Sequence, residues 1–175
     1  MPEAQQEHII VIADDNASTS DAIRQQIERN TAKPSWPTQI ITINTREELL
    51  RILADDAFTS DAIAAAIVRD PLHGEKLGPA FFAQCKGMKE VQYMGSGLNP
   101  MYIAANIPQG PSYAIRRWQL LDAGVDRIFT FQETDILCPI PAPFRRVIAS
   151  VHRYLRKRRI PHDPPRPHLW YPPHQ

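Results

Sequence analysis

Short apolar runs alternate five times with amphipathic helical segments, and this alternation constrains the fold more than any other feature of the sequence. The five runs are residues 8–13 (HIIVIA), 39–43 (QIITI), 62–68 (AIAAAIV), 91–94 and 127–131. Apolar runs without polar alternation are typical of strands that are buried on both faces, as in parallel sheets. The pattern predicts an α/β domain in which helices cover both faces of a five-stranded parallel sheet.

Capping residues mark several predicted helix ends. Residues 18–20 (Ser-Thr-Ser) offer an N-cap for the first helix. Thr45 and Glu48 form a capping box, in which each side chain satisfies a free backbone amide at a helix start. Ser112 is predicted to cap a helix that ends at Gly124. The side chains predicted to face the core from that helix are Ile115, Trp118 and Leu121.

Prolines divide the chain into a domain and a tail. Residues 160–175 (IPHDPPRPHLWYPPHQ) can form neither a helix nor a central strand. We therefore predict a domain over residues 7–159, whose last helix spans about residues 143–158, and an irregular or polyproline tail over residues 160–175. Residues 95–111 are marked by glycine and proline and are long for a connection, so they are predicted to form a functional loop.

Composition argues against several classes of protein. A hydrophobic fraction of 43% is typical of globular domains. The polar N-terminus lacks the pattern of a signal peptide, and no apolar run approaches the roughly 20 residues of a membrane helix. Cys85 and Cys138 are too few and too far apart for a zinc site or a disulfide framework, so buried thiols are expected. The sequence predicts a cytoplasmic protein without membrane insertion.

Positive charge is concentrated near the C-terminus, although the formal net charge is only +1. Four consecutive cations follow the last predicted apolar stripe, namely Arg156, Lys157, Arg158 and Arg159. Such a run is commonly a solvated helix end, and no nucleic-acid-binding motif accompanies it. Trp170 and Tyr171 lie between prolines of the tail, where docking costs little conformational entropy. We predict that the basic run and these two aromatic residues bind a protein partner.

Polar residues follow the predicted strands at the edge where open α/β sheets form their sites. Asp14 and Asp15 directly follow the first strand, Asp70 follows the third and Ser96 follows the fourth. Two adjacent carboxylates suit a hard divalent cation, most often Mg²⁺. The sequence therefore predicts a Mg²⁺ site at the acidic pair, and the alternative is that these carboxylates cap the following helix.

Three segments resemble the receiver domain of response regulators, and the likeness spans residues 7–159. They are residues 9–16 (IIVIADDN), 61–74 (DAIAAAIVRDPLHG) and 122–130 (DAGVDRIFT). The resemblance implies a flavodoxin-like fold in which Asp14 and Asp15 bind Mg²⁺. It also implies a phospho-acceptor aspartate after the third strand, for which Asp70 is the candidate, and a switch hydroxyl after the fourth, for which Ser96 is the candidate.

Two departures from the receiver pattern indicate a degenerate pseudo-receiver. The family's acceptor lies four residues before the turn proline, but that position is Ile67, and Asp70 is adjacent to Pro71. The family's lysine at the end of the fifth strand is expected near Phe131, where the sequence has none. A phosphoryl group would lack its charge partner there.

The sequence therefore predicts a stand-alone, non-enzymatic signalling or adaptor protein that acts through protein–protein contacts. Its expected partners are a histidine kinase or a signalling complex rather than nucleic acid, and a homodimer stays open. One alternative is a response regulator that is phosphorylated on Asp70 by a histidine kinase. Another is a small α/β ligand-binding protein or enzyme that uses residues 95–111.

Overall fold

A parallel sheet of five strands forms the centre of the protein. The computed structural model describes residues 8–31, 38–54, 63–90 and 101–131 and Ala149. The elements in chain order are β1 His8–Ala13, α1 Ala17–Thr31, β2 Thr38–Ile43, α2 Arg46–Ala54, β3 Ile63–Arg69, α3 Gly78–Glu90, β4 Tyr102–Asn106, α4 Tyr113–Asp122 and β5 Arg127–Phe129. The strand order is β2-β1-β3-β4-β5, and every neighbouring pair is parallel. The predicted fold class is confirmed.

Alternate side chains of the strands enter separate cores on the two faces of the sheet. Ile10 and Ile12 pack with Ile23 and Ile27 of α1 on one face. Each of these four side chains is almost fully buried, and each such burial contributes about 1.5–3 kcal/mol. The intervening β1 residues pack on the other face with buried residues of α2, α3 and α4. Helices on both faces thus explain why the strands are apolar without alternation.

The fourth strand differs from its predicted position. We predicted residues 91–94 as this strand, but they lie outside the described residues. The described β4 is Tyr102–Asn106, within the segment predicted as a loop, and all five of its residues are buried. Ala104 and Ala105 have low strand propensity, and flanking glycines and prolines suggested a loop. Burial between β3 and β5 decides the conformation instead.

The N-cap of α1 also differs from its prediction, whereas the capping box predicted for α2 is confirmed in its Thr45 bond, with Glu48 bound to the amide of Asn44 rather than of Thr45. Asn16, rather than residues 18–20, caps α1, because its side-chain oxygen accepts a hydrogen bond from the Thr19 amide at 3.1 Å. The Glu48 amide donates to Thr45 Oγ1 at 3.2 Å. The Glu48 carboxylate in turn accepts from the Asn44 amide at 3.2 Å.

Helix α4 presents its apolar stripe to solvent, so the prediction that this stripe faces the core was wrong. Ile115, Trp118 and Leu121 are 63%, 68% and 38% exposed. Leu120 is the buried residue of the helix, and it joins the core beside α3. Periodicity showed an apolar stripe but not which stripe packs on the sheet. Ser112 precedes the helix without a side-chain capping hydrogen bond.

The predicted end of α4 at Gly124 is confirmed. Gly124 has φ +102°, a conformation that L side chains rarely adopt. Its amide donates to the Leu121 carbonyl at 3.1 Å, and the Val125 amide donates to the Leu120 carbonyl at 3.0 Å. These two bonds form the Schellman motif that turns the chain from the helix into β5.

Several predicted features lie outside the described residues. They are Ser96, the helix predicted over residues 143–158 with its cations at residues 156–159, and the tail over residues 160–175 with Trp170 and Tyr171. Ala149 alone is described within the predicted last helix, and it is helical. In the described part of the chain, no helix combines the length and apolarity needed to cross a bilayer.

Candidate functional site

The carboxyl edge of the sheet collects charged and polar side chains from three adjacent strands. Asp14 and Asp15 follow β1, Arg69 ends β3 and is followed by Asp70, and Asn106 ends β4. The strand register aligns these ends, since Ala13 lies beside Val68 and Arg69 lies beside Asn106. Parallel strands place their carboxyl ends at one edge, so side chains far apart in sequence become neighbours.

Asp14 is a buried carboxylate, 5% exposed, that is only partly satisfied by hydrogen bonds. Its Oδ1 accepts from the Asn16 amide at 2.9 Å and from Arg69 Nη1 at 3.2 Å. Its Oδ2 accepts no hydrogen bond from the residues that the structure describes. Burial raises the pKa of Asp14 above its ordinary 3.8, although the Asn16 amide and the Arg69 guanidinium oppose that rise.

Arg69 connects both members of the acidic pair. Its Nη1 lies 3.2 Å from Asp14 Oδ1, and its Nε lies 4.0 Å from Asp15 Oδ1. The Arg69 side chain is 34% exposed, so it remains partly open to solvent while it contacts the carboxylates. Sequence analysis missed this residue. The available signal was a cation at the last position of the third strand, where the sheet brings it level with the residue after the first.

Asp70 lies apart from this acidic pair in its interactions, because its carboxylate binds one partner on α4 and one in the segment before α3. Its Oδ2 forms an ion pair with Arg116 Nη2 at 2.8 Å. Its Oδ1 accepts from the Leu77 amide, which precedes α3, at 2.9 Å. Asp70 is 1% exposed. Both carboxylate oxygens are therefore buried and have strong donors.

Asn106 closes the site on the β4–β5 side. Its side-chain oxygen accepts from the Phe131 amide at 2.9 Å, and its amide group donates to the Phe131 carbonyl at 3.1 Å. Thr130 Oγ1 donates to the Ile107 carbonyl at 2.8 Å. The polar groups that follow β4 and β5 thus bind one another, and Phe131, near the position expected for a lysine, is a buried aromatic residue.

A buried lysine does occur, but it lies at the opposite edge of the sheet. Lys86 of α3 donates to Asp126 Oδ2 at 2.8 Å and to the Met101 carbonyl at 2.9 Å. Met101 and Asp126 directly precede β4 and β5, so this ion pair holds α3 to the amino ends of those strands. Lys86 therefore does not supply a cation to the carboxyl edge.

The described residues show neither a three-ligand metal cluster nor an activated thiol. No group of three or more His, Cys, Asp or Glu side chains suited to a metal ion occurs among them. Cys85 is a free, buried cysteine, as predicted for a structural thiol. Burial raises the pKa of Cys85 to about 12, which disfavours the reactive thiolate.

The exposed stripe of α4 is a second candidate functional feature. We call its three residues, Ile115, Trp118 and Leu121, the α4 apolar patch. Exposed Arg117 and Asp122 lie on the same helix and give the patch a polar border. Neighbouring large apolar side chains left in water are typical of protein-interaction surfaces. The patch lies on the helix that also carries Arg116, the partner of Asp70.

The sequence matches no model of a protein family and no curated protein. Solved structures do match over most of the chain. A receiver domain from Rhodospirillum rubrum aligns with a TM-score of 0.54 at 14% identity, covering 85% of this chain and 94% of that domain. The signal receiver domain of a Luxo repressor protein from Vibrio parahaemolyticus gives 0.53 at 13% identity, covering 88% and 94%.

A third match is the receiver domain of Saccharomyces cerevisiae Ssk1, solved with the histidine phosphotransfer protein Ypd1. It aligns with a TM-score of 0.52 at 12% identity, covering 85% of this chain and 89% of the matched one. At such low identity the likeness establishes the fold. The chain therefore has the fold of response-regulator receiver domains, with an arginine beside the acidic pair that follows its first strand.

Proposed function

We propose that the protein is an atypical receiver-like signalling or adaptor protein that acts through protein–protein contacts, without catalysis and without a normal phospho-acceptor. The observation that carries this proposal is the state of Asp70. It is the aspartate nearest the end of β3, and both of its carboxylate oxygens are buried and bound, to Arg116 and to the Leu77 amide.

Phosphorylation of a carboxylate requires one of its oxygens to reach phosphorus in line with the leaving group. Asp70 would first have to release either Arg116 or the Leu77 amide. Separation of Arg116 from Asp70 would leave buried charge poorly compensated, and release of the Leu77 amide would leave a buried carboxylate oxygen without its donor. The cost of either change would add to the barrier of phosphoryl transfer and disfavours Asp70 as an acceptor.

The rest of the carboxyl edge supports the same proposal. Asn106 binds the backbone of Phe131 rather than presenting a hydroxyl to a phosphoryl group. Phosphoryl oxygens need charged donors, and Phe131 is a buried aromatic residue where the receiver pattern has a lysine. A site without an available acceptor oxygen and without this ammonium is poorly suited to hold an acyl phosphate.

The α4 apolar patch supports a role in protein binding. Trp118 is 68% exposed and Ile115 is 63% exposed, and burying them against a partner would remove apolar area from water. Tryptophan is also among the residues that contribute most to binding at interfaces. One structural neighbour was solved with a histidine phosphotransfer protein, which supports a protein as the class of partner for this fold.

Intact-mass spectrometry after incubation with acetyl phosphate and Mg²⁺ tests the proposal, with a phosphorylatable receiver domain as positive control. We expect the wild-type chain to gain no phosphoryl adduct under conditions that modify the control. An adduct that disappears in Asp70→Asn would instead establish the phosphorylatable regulator.

A partner-binding measurement tests the role of α4 separately. If wild type and Arg24→Ala retain a partner that Trp118→Ala loses, the result would support binding through α4.

A further inference from the structure

The role of Arg69 at the carboxyl edge is not explained by the proposed function. Its guanidinium is a cation that the chain itself places beside the acidic pair. Asp14 and Asp15 carry two negative charges in adjacent positions, and Arg69 lies against both. We propose that Arg69 is an internal counter-ion that takes the place of a divalent cation at this acidic pair, so that the native protein does not bind Mg²⁺ there. This inference is independent of whether Asp70 accepts a phosphoryl group.

The position of Arg69 follows from the backbone, not from a chance contact of a long side chain. β1 and β3 are hydrogen-bonded neighbours in a register that places Ala13 beside Val68. The next residues along the two strands are Asp14 and Arg69, whose charged groups meet at 3.2 Å. The Asp14 side chain is 2% exposed, so this contact is shielded from solvent on the carboxylate side.

A divalent ion and this guanidinium would compete for the same oxygens. Mg²⁺ binds carboxylate oxygens at about 2.0–2.1 Å and requires near-octahedral room for its remaining ligands. An ion bound to Asp14 Oδ1 or Asp15 Oδ1 would lie close to the Arg69 nitrogens that now contact these same atoms. Like charges repel strongly at such separations in a partly buried site. The residues as folded therefore do not fit the metal that receiver domains imply.

The geometry also points to a latent site that Arg69 closes. Asp14 Oδ2 is buried and accepts no hydrogen bond among the described residues. Without the guanidinium, the available ligands would be Asp14 Oδ2, Asp14 Oδ1 beside its remaining bond from the Asn16 amide, and the exposed carboxylate of Asp15. Carboxylate oxygens completed by water are the ligand set of hard divalent cations. Removal of one side chain is therefore expected to create metal affinity.

A fixed counter-ion has a consequence for signalling. A divalent cation can leave, whereas Arg69 is part of β3 and stays beside Asp14 as long as the sheet is folded. The carboxyl ends of β1 and β3 are then held in one charge state whatever the Mg²⁺ concentration. Metal binding at this edge would then not control the protein.

Mn²⁺ binding, measured by the loss of the free-ion electron paramagnetic resonance signal, tests the inference without any phosphoryl donor. We expect wild type to leave the signal unchanged, like the buffer alone. Arg69→Met keeps the aliphatic stem but removes the charge, and we expect its Mn²⁺ affinity to exceed that of wild type by about tenfold or more. Adding Asp14→Asn to Arg69→Met should abolish the gain.

Arg24→Met is the matched control, because the Arg24 side chain is 42% exposed and forms a local ion pair with Asp21 at 3.0 Å. The same substitution there should leave the signal at its wild-type value. Arg69→Gln, which retains a hydrogen-bond donor, serves if the methionine variant does not fold. Saturable Mn²⁺ binding by wild type that Asp14→Asn removes would overturn the proposal. So would folded Arg69→Met or Arg69→Gln protein that binds no Mn²⁺.

Discussion

Asp14 and Asp70 are two buried aspartates at neighbouring strand ends. Their carboxylate charges are compensated to different degrees. Each is at most 5% exposed, and each pairs with an arginine. Asp70 binds a donor through each oxygen, and its partner Arg116 is only 18% exposed. Asp14 uses one oxygen, leaves Oδ2 without a hydrogen bond among the described residues, and its partner Arg69 is 34% exposed.

The difference separates a structural ion pair from a potential site. Asp70 joins the end of β3 to the segment before α3 and to α4. Its ion pair with Arg116 therefore has a structural role. The pair of Asp14 and Arg69 keeps unused bonding capacity, because Asp14 Oδ2 accepts no hydrogen bond among the described residues and the Arg69 side chain is partly exposed. A buried polar group that is incompletely satisfied costs stability, and proteins commonly accept that cost at functional positions.

The largest effect on stability is expected when the ion pair between Asp70 and Arg116 is removed. Arg116→Met leaves a buried carboxylate with only the Leu77 amide, and we expect the free energy of unfolding to fall by about 3–5 kcal/mol. Urea denaturation followed by circular dichroism measures it. Asp70→Asn in the same chain should recover part of the loss, because the uncompensated charge is gone. If Arg116→Met lost less unfolding free energy than Arg69→Met, Asp70 would not be the more strongly stabilised of the two aspartates.

A smaller effect is expected at the acidic pair. Arg69→Met removes a partly exposed guanidinium, and we expect a loss of about 1–2 kcal/mol in the free energy of unfolding, since solvent already weakens this ion pair on the Arg69 side and Asp14 keeps the Asn16 amide. The same denaturation experiment measures it, with Arg24→Met as the exposed control. A gain in stability would mean that Arg69 is strained against the pair rather than neutralising it.

Much of the fold was predictable because local signals agree with the tertiary structure. The runs of β1 and β3 are largely apolar along their length, because helices cover both faces of the sheet at these inner strands. Gly124 predicts the end of α4, because the Schellman motif needs a residue with positive φ. β4 was missed since its central Ala104 and Ala105 carry little strand propensity, and only burial among neighbouring strands makes them a strand.

The site was less predictable because its decisive contacts are long-range. Asp14 was identified from its place after an apolar run, but its partner Arg69 lies 55 residues away and depends on the β1–β3 register. Asp70 was chosen for its chemistry, and its burial depends on Arg116, 46 residues away on α4. The exposure of Trp118 was likewise hidden, because sequence periodicity gives a helix stripe without its orientation.

The pH dependence of stability distinguishes Asp14 further. Burial raises its pKa above 3.8, so the folded state holds the Asp14 proton more strongly than the unfolded state does. Asp14 therefore contributes most stability at low pH, when it is protonated in both states. That contribution is lost as pH rises from the unfolded pKa through the raised folded pKa. Asp14→Asn cannot titrate at this position and lacks this loss.

Free energies of unfolding measured at several pH values for wild type and Asp14→Asn test this sign. We expect the stability of wild type relative to Asp14→Asn to fall as pH rises from below 3.8, and then to level off. In the Arg69→Met background the fall should extend to higher pH, because the guanidinium that lowers the pKa of Asp14 is absent. A relative stability that instead rises with pH would mean that Arg69 and the Asn16 amide outweigh burial in setting the pKa of Asp14.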